Sequence, residues 1–324
     1  MFFFLLIGVL LALSSTSWFS AWAGLELNLL AFIPLITAKS NLYHSESALS
    51  YFLIQALGSA LLIFSSCLLL MKASFFLLII SLSLFLKMGA APFHFWFPKI
   101  MEGLNWPQSF ILMTIQKLAP MFLISYLSFS PLCSSLIYIT VILSAIIGAL
   151  GGLNQTKLRK LMAFSSINHM AWMLSAILMS HSSWILYFTF YFLMTFSIII
   201  LFFHLKTFFF PQLLNLNMIP LHLKSSLTIS LLSLGGLPPF SGFFPKWLLI
   251  QEMISHKHYL FLFILLASTL VTLYFYLRML FPFMVISSPQ MKKMMIPNFS
   301  LFTQTTATFL NLFCLLLPSL FFLL

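Results

Sequence analysis

Two stretches of the chain, PFHFWFPK at residues 92–99 and PFSGFFPK at residues 239–246, share the pattern P-F-x-x-aromatic-F-P-K. Each follows an interruption of an apolar run by glycine and proline, GAAP at 89–92 and GGLPP at 235–239. Proline lacks an amide hydrogen and glycine weakens a helix, so both interruptions predict broken helices. The residues expected at these breaks are Gly89, Pro92, Gly235, Gly236, Pro238 and Pro239.

The composition around these breaks is that of a membrane protein. Of the 324 residues, 62% are hydrophobic and only 6% are charged, whereas soluble domains have about 25% charged residues. Because one crossing takes about 20 residues, the predicted fold is an all-α polytopic membrane protein with about 11 transmembrane helices. The spans are expected at 2–17, 20–38, 46–71, 74–90, 106–127, 132–151, 156–179, 183–204, 222–252, 258–281 and 302–323.

The positions of the two breaks predict an internal repeat. One break falls in the fourth span and the other in the ninth, which indicates two five-helix units with broken helices 4 and 9. Since five is an odd number, the second unit would start from the opposite side of the membrane, as in transporters built from inverted repeats with ion sites at the breaks. We expect the first repeat at 1–130, the second at 131–284, and an inner loop with a C-terminal transmembrane helix at 285–324.

Most of the 15 basic residues, which stand against four acidic ones, have a topological explanation. Inner loops of membrane proteins retain Lys and Arg. Placing the N-terminus inside puts ten of these residues in inner loops and two in outer loops, which predicts the N-terminus inside and the C-terminus outside. The inner set is Lys39, Lys99, Lys157, Arg159, Lys160, Lys206, Lys224, Arg278, Lys292 and Lys293, and the outer set is Lys72 and Lys257.

The sequence argues against several kinds of site. Cys67, Cys133 and Cys314 lie in apolar stretches without neighbouring ligands, so an iron–sulfur, haem or zinc site is not expected. No glycine-rich nucleotide-binding motif occurs. The net charge of +11 is explained by topology, so we expect lipids as surroundings, no nucleic acid, and neither cofactor nor metal in this chain.

Apart from the charged residues at the ends of the predicted spans, four fall inside them, namely Glu26, Lys87, Lys117 and Lys246. An ionised side chain at the bilayer centre costs ~2.5 to 3.5 kcal/mol, so such residues normally face the bundle interior and have partners. Burial disfavours the charged form of lysine and a nearby carboxylate favours it, so a row of lysines beside a mobile charge can relay protons. Glu26 is expected to pair with Lys87, either to start such a relay or as a fixed ion pair that braces two helices.

Two histidines are further candidates for the same path. His169 lies among polar residues in the seventh span, where it either bridges lysines through water or packs as a hydrogen-bonded side chain. His94 lies at the first break, where it either gates access from one side or packs against its aromatic neighbours. Both readings stay open for each histidine.

Five motifs, in order along the chain, resemble the family of mitochondrial NADH dehydrogenase subunit 2. They are WAGLELN at 22–28, KMGAAPFHFW at 87–96, QKLAP at 116–120, GGLNQTKLRK at 151–160, and LGGLPP at 234–239 leading to PKW at 245–247. The resemblance implies an antiporter-like fold and a proton-translocating subunit in the membrane arm of respiratory complex I. It also implies the mitochondrial inner membrane, with the N-terminus in the matrix and the C-terminus in the intermembrane space.

The resemblance further implies roles for individual residues. Glu26 would face the neighbouring subunit 4L with Lys87 as its partner, Lys117 would be the central lysine, and Lys246 would lead toward subunit 4. His169 would lie on the central hydrophilic axis. Accessory subunits would complete the partners, and NADH, FMN, iron–sulfur clusters and ubiquinone would be bound elsewhere in the complex.

The internal repeat and the family pattern point to different lysines at the first break. The repeat makes Lys99 the counterpart of Lys246, whereas the family places the functional lysine before the break, at Lys87. We follow the family, because Lys99 is predicted in an inner loop where solvent fixes its charge. The family often has glutamate at that position, so no role is assigned to it.

The predicted function is therefore a proton path within NADH:ubiquinone reductase, with no redox or nucleotide site in this chain. Two alternatives remain at the level of sequence. One is a monovalent cation/proton antiporter subunit, which has the same predicted fold. The other is a purely structural membrane subunit that spaces its neighbours.

Overall fold

A computed structural model describes residues 1–37, 41–69, 75–214 and 221–285, together with 305, 306, 308, 309 and 311. In these ranges the regular secondary structure is helical, apart from an isolated β-bridge between Lys157 and Phe209. The helices are α1 (Phe2–Leu13), α2 (Trp18–Thr37), α3 (Leu42–Leu68), α4 (Phe75–Met88), α5 (Trp96–Gly103), α6 (Trp106–Met113), α7 (Ile115–Leu127), α8 (Pro131–Gly152), α9 (Leu158–Met179), α10 (His181–Leu205), α11 (Phe210–Leu214), α12 (Leu221–Gly235), α13 (Phe243–Ser255) and α14 (Tyr259–Val285).

Seven helical segments of the described chain are long and apolar enough to cross a membrane, and α1 and α4 are apolar but shorter. The all-α polytopic fold is thus confirmed, whereas the count of eleven stays a prediction. The last predicted span, 302–323, lies almost wholly outside the described residues. The seven segments are Trp18–Thr37, Leu42–Leu68, Trp106–Leu127, Pro131–Gly152, Leu158–Met179, His181–Leu205 and Tyr259–Pro282.

The chain divides into two compact units, Met1–Ile147 and Gly148–Leu324. The boundary between them lies within α8. The expected repeat boundary after residue 130 and the inverted relation of the repeats stay predictions.

In the first unit, α1 and α2 approach each other backbone to backbone at two glycines. A Cβ atom on Gly8 would come within 2.8 Å of the backbone nitrogen of Asn28, and one on Gly24 within 2.6 Å of that of Ala12. Small residues allow membrane helices to pack this closely, and packing is the main attraction between helices in lipid. The helix that carries Glu26, α2, therefore packs closely against α1.

The helices α4 and α12 end in the same way. The glycines that follow the last full turn, Gly89 and Gly236, have φ angles of 70° and 77°, in the left-handed region that favours glycine. Both ends form a pair of backbone hydrogen bonds typical of the Schellman motif. These bonds run from Ala90 to Phe85 (3.1 Å) and from Gly89 to Leu86 (3.2 Å), and from Leu237 to Leu232 (3.4 Å) and from Gly236 to Ser233 (3.0 Å).

A short helix, α5, follows the first break where an inner loop was expected. It begins at Trp96 and ends at Gly103, and it carries Lys99. Lys99 therefore lies on a short helix within the segment that was expected as an inner loop. Its side chain is nevertheless exposed, by 69%, and lies 3.9 Å from Oε1 of the equally exposed Glu46.

Candidate functional site

The three lysines expected inside the membrane are buried, and each lies at a helix interruption. The exposed fractions are 6% for Lys87, 2% for Lys117 and 6% for Lys246. Lys87 lies in the last turn of α4, Lys117 in the first turn of α7, and Lys246 in the first turn of α13. The C-terminal end of a helix leaves carbonyl groups without intrahelical partners, and their partial negative charge stabilises a nearby cation. Such ends lie at Lys87, in α4 itself, and at Lys246, which contacts the end of α12.

Lys87 is held by α3 and by the turn that follows α4. Gln55 on α3 donates a hydrogen bond from Nε2 to the carbonyl oxygen of Lys87 at 3.1 Å. One turn further along α3, Gly58 leaves room for the lysine stem, because a Cβ atom there would lie 3.0 Å from Cγ of Lys87. Trp96 donates from Nε1 to the carbonyl oxygen of Leu86 at 3.1 Å. Side chains thus satisfy two of the carbonyl groups at the end of α4.

Glu26 lies on α2 with its side chain half-buried. Its Oε2 atom is buried and accepts no hydrogen bond from the part of the chain that the structure describes. Within the described residues Glu26 forms no ion pair with Lys87 at 4.0 Å or less, although its charge interacts with Lys87 and with Tyr51. A direct ion pair between the two side chains is therefore absent from the described residues, and the role of this couple in a relay stays a prediction.

Lys117 lies in a span whose backbone is interrupted on both sides of it. The boundary between α6 and α7 is Thr114, whose φ and ψ angles are −114° and −77°, and nothing in the sequence pattern predicts this interruption. Three residues after Lys117, Pro120 lacks the N–H group that would bond to the carbonyl oxygen of Gln116. The ammonium group of Lys117 lies 4.6 Å from the centre of the Phe97 ring on α5, a cation–π contact.

Three polar side chains of the first unit, Asn28, Gln116 and Tyr51, form hydrogen bonds with one another. None of them was assigned a role from the sequence. Gln116, which precedes Lys117, donates from Nε2 to Oδ1 of Asn28 on α2 at 3.1 Å. Tyr51 on α3 donates from its hydroxyl group to Oε1 of Gln116 at 3.1 Å. The signal in the sequence is weak: Asn28 and Gln116 are polar residues next to Glu26 and Lys117 in otherwise apolar runs.

Lys246 binds directly to the end of the preceding helix. Its Nζ atom donates a hydrogen bond to the carbonyl oxygen of Gly235, the last residue of α12, at 2.9 Å. The same atom lies 6.0 Å from the centre of the Trp172 ring on α9. A Cβ atom on Gly236 would lie 2.7 Å from this Nζ atom, so glycine is required both for the φ angle and for the lysine. Pro238 and Pro239 lie in the turn between α12 and α13.

His169 lies in the second unit within an aromatic cluster. It is 4% exposed, and its Nδ1 atom lies 3.0 Å from the hydroxyl oxygen of Tyr187. The Tyr187 ring is parallel to that of Trp172 at 6.4 Å, and the ring of Tyr191 lies 5.2 Å from the imidazole. Because Trp172 also contacts Lys246, a continuous set of side chains leads from Lys246 to His169. Tyr187 and Trp172 were not predicted, because aromatic residues are common throughout this sequence.

His94 lies at the first break, as its sequence position requires, and is 6% exposed. Its Nδ1 atom is 3.2 Å from the carbonyl oxygen of Pro92, and its ring centre is 4.2 Å from that of Phe95. These contacts are those of a packed side chain, and a gating role stays a prediction. In the described ranges no three His, Cys, Asp or Glu side chains are grouped to hold a metal ion.

Comparison with known proteins identifies the family. The model of the NADH:quinone oxidoreductase/Mrp antiporter transmembrane family matches residues 15–75 and 70–272. The chain is 48% identical to NADH-ubiquinone oxidoreductase chain 2 of Anopheles gambiae, over 91% of this chain and 88% of the relative. It is 47% identical to the protein of that name from Aedes aegypti, over 99% of this chain and 97% of the relative. The chain belongs to the NADH-ubiquinone oxidoreductase chain 2 family.

Solved structures agree with this assignment. A chain of respiratory complex I from Thermus thermophilus superimposes with a TM-score of 0.83 and 25% identity, covering 98% of this chain and 77% of that one. A chain of the Mrp complex from Dietzia sp. gives a TM-score of 0.77 at 15% identity, covering 85% and 58%, which shows a shared fold alone. The predicted family is confirmed, and a chain 2 subunit of NADH:ubiquinone oxidoreductase is supported over an antiporter or a spacer.

Proposed function

We propose that this chain 2 protein provides a proton path through the membrane arm of mitochondrial NADH:ubiquinone oxidoreductase, with electron transfer confined to other subunits. The observation that carries the proposal is the placement of Lys87, Lys117 and Lys246, each buried at a helix interruption. Buried lysine exchanges its proton near neutral pH more readily than exposed lysine, because burial disfavours the charged form. At Lys246 the fixed carbonyl group of Gly235 offsets part of that cost when the proton is bound.

The proposed path begins at Glu26, which faces a neighbouring subunit of the complex. A change of charge at that face alters the attraction between Glu26 and Lys87, and with it the tendency of the Lys87 ammonium group to hold its proton. Lys117 is the central proton-binding group of the first unit. Lys246 and His169 serve the second unit, where Tyr187 donates to or accepts from the imidazole.

The environment proposed for this path is the inner mitochondrial membrane, with the N-terminus in the matrix and the C-terminus in the intermembrane space. The proposed neighbours are subunit 4L on the Glu26 side and subunit 4 on the Lys246 side. A repeat is supported by the two matching helix ends, since Gly89 and Gly236 are 147 residues apart and each lies three residues before the proline of its motif. Its inversion is proposed from the odd number of helices predicted for each unit.

The proposal is tested by substituting the buried lysines in the assembled complex. Lys117→Ala or Lys246→Ala is expected to abolish most NADH oxidation coupled to proton movement while the complex still assembles. Lys99→Ala is the matched control, because that lysine is exposed. Full coupled turnover in both buried-site variants would leave a purely structural role.

Two further measurements address the couple at Glu26 and the antiporter alternative. A double-mutant cycle of Glu26→Gln and Lys87→Ala on turnover is expected to show strong non-additivity, since one charge acts on the other. Additive effects would remove the proposed coupling. Cation/proton exchange by the isolated chain in liposomes, without redox subunits, would favour an antiporter.

A further inference from the structure

The strongest unassigned feature is the bridge of side-chain hydrogen bonds formed by Asn28, Gln116 and Tyr51. It joins α2, α7 and α3 through two bonds of 3.1 Å. Asn28 and Tyr51 are each 2% exposed. Bonds between two side chains make up only about 10 to 15% of protein hydrogen bonds, and the buried Ser125 on α7 bonds only to the carbonyl oxygen of Phe122 in its own helix.

The position of the bridge relative to the charged residues is the second observation. Asn28 is two residues after Glu26 on α2, and Gln116 immediately precedes Lys117 on α7. The charge of Glu26 also acts on Tyr51. The bridge therefore joins the helix that carries Glu26 to the helix that carries Lys117.

The backbone of α7 is able to pass a displacement of Gln116 to Lys117. The carbonyl oxygen of Gln116 receives no helical hydrogen bond from residue 120, which is proline. On the other side, the helix is interrupted at Thr114. The turn keeps a backbone hydrogen bond from Lys117 to Thr114 at 3.0 Å, and the side-chain bonds of Gln116 add a further restraint. Its two partners determine the orientation of its amide, because Tyr51 bonds to its oxygen and Asn28 to its nitrogen.

We propose that Asn28 and Tyr51 are positioning residues that hold the amide of Gln116 and thereby set the place of Lys117 relative to Glu26. This inference rests on the proposed function, since it assigns the bridge a role in the same proton path. Tyr51 acts through Gln116 and is not itself a proton carrier. Gln55, one turn along α3 from Tyr51, holds the carbonyl of Lys87, so α3 locates both lysines of the first unit.

The test uses the assembled complex in sealed vesicles, with NADH oxidation and proton translocation measured together. Tyr51→Phe removes the hydroxyl group alone and is expected to lower coupled turnover about threefold to tenfold, the effect of one lost buried hydrogen bond. Assembly is expected to be unchanged. Ser125→Ala is the matched control, because it also removes one buried hydroxyl group from the first unit and is expected to leave turnover unchanged.

A second variant separates positioning from simple packing. Gln116→Met keeps the length of the side chain and removes both bonds, so adding Tyr51→Phe to it is expected to cause no further loss. Additive losses in the double variant would overturn the inference. If Gln116→Met does not assemble, Asn28→Ala replaces it. That substitution removes one of the two bonds that hold the Gln116 amide, so adding Tyr51→Phe is expected to cause less loss than the product of the two single effects, and a full product would overturn the inference.

The controls also distinguish this inference from the proposed function. Loss of proton translocation in Lys117→Ala together with normal translocation in Tyr51→Phe would refute the bridge and leave the proton path in place. Normal translocation in Lys117→Ala would refute the proton path itself. A cycle of Tyr51→Phe with Glu26→Gln is expected to be non-additive, and additivity there would also count against the bridge.

Discussion

Replacing Gly236 by alanine is expected to damage the second helix interruption in two separable ways. The φ angle of 77° is costly for any residue with a Cβ atom, by about 1 to 2 kcal/mol. The new methyl group would lie 2.7 Å from Nζ and 2.9 Å from Cδ of Lys246, so the lysine must move. Its bond to the carbonyl of Gly235 is then lost, and a bond to a charged group contributes about 1.5 to 3 kcal/mol.

The loss of the bond between Lys246 and Gly235 is the effect that alters proton transfer. Since a change of about 1.4 kcal/mol alters a rate about tenfold, the loss of the Lys246 bond predicts a decrease in coupled turnover of about 10- to 100-fold. The assay compares NADH oxidation with ubiquinone, in vesicles that report proton translocation, with NADH oxidation by an artificial electron acceptor. The latter is expected to be unchanged, because the proposed function confines electron transfer to other subunits.

The neighbouring glycine supplies the control for this prediction. A Cβ atom on Gly235 would have its nearest contact at 3.8 Å, an ordinary van der Waals distance to Leu273, and this residue ends a helix with no positive φ angle. Gly235→Ala is therefore expected to behave as the unchanged protein. Equal effects of the two substitutions, or normal coupled turnover in Gly236→Ala, would refute the role assigned to the Lys246 contact.

Three further substitutions test other parts of the structure. Gly24→Ala places a methyl group against the backbone of α1 and is expected to cost about 1 to 3 kcal/mol, seen as less assembled complex on native gels, and normal assembly would contradict the close helix contact. Tyr187→Phe removes the hydroxyl group 3.0 Å from His169 and is expected to lower coupled turnover about fivefold, whereas unchanged turnover would place the imidazole outside the path. Lys99→Gln is expected to leave turnover unchanged, because an exposed pair with Glu46 contributes little, and a large loss would restore Lys99 as a candidate.

The helix interruptions that contain glycine and proline could be predicted from the sequence. Local chemistry determines them, since Gly89 and Gly236 take φ angles that other residues avoid and the following prolines cannot continue a helix. The burial of the lysines followed from the cost of placing charges in lipid. These features depend on residues close together in the chain, and they needed no knowledge of tertiary contacts.

The interruption at Thr114 and the bridge through Gln116 could not be predicted in the same way. Threonine and glutamine occur in many ordinary helices, so neither residue carries a local signal for a helix end or for a hydrogen-bond partner. The bridge requires α2, α3 and α7 to converge, and its bonds join residues 65 and 88 positions apart. The helix α5 was missed because it is only eight residues long and lies in a stretch that contains prolines.

A direct ion pair between Glu26 and Lys87, which the described residues do not show, could not be judged from the sequence alone. Opposite charges in a membrane are expected to attract, but the contact distance depends on how α2 and α4 pack against α3. In the described residues Gln55 of α3 bonds to the carbonyl of Lys87 and Gly58 leaves room for its stem, whereas Glu26 forms no ion pair with it. A carboxylate without a direct ion pair is more responsive to charge in a neighbouring subunit than one in a closed pair.

The number of protons translocated per NADH oxidised tests the central claim most directly. It is measured in the assembled complex carrying Lys117→Met, which keeps an unbranched side chain at the 2% exposed position and removes the ammonium group. A proton path through this chain predicts a lower ratio, or coupled turnover that falls to a small fraction of its normal value. An unchanged ratio at normal turnover would contradict the claim that buried lysines at the helix interruptions carry protons.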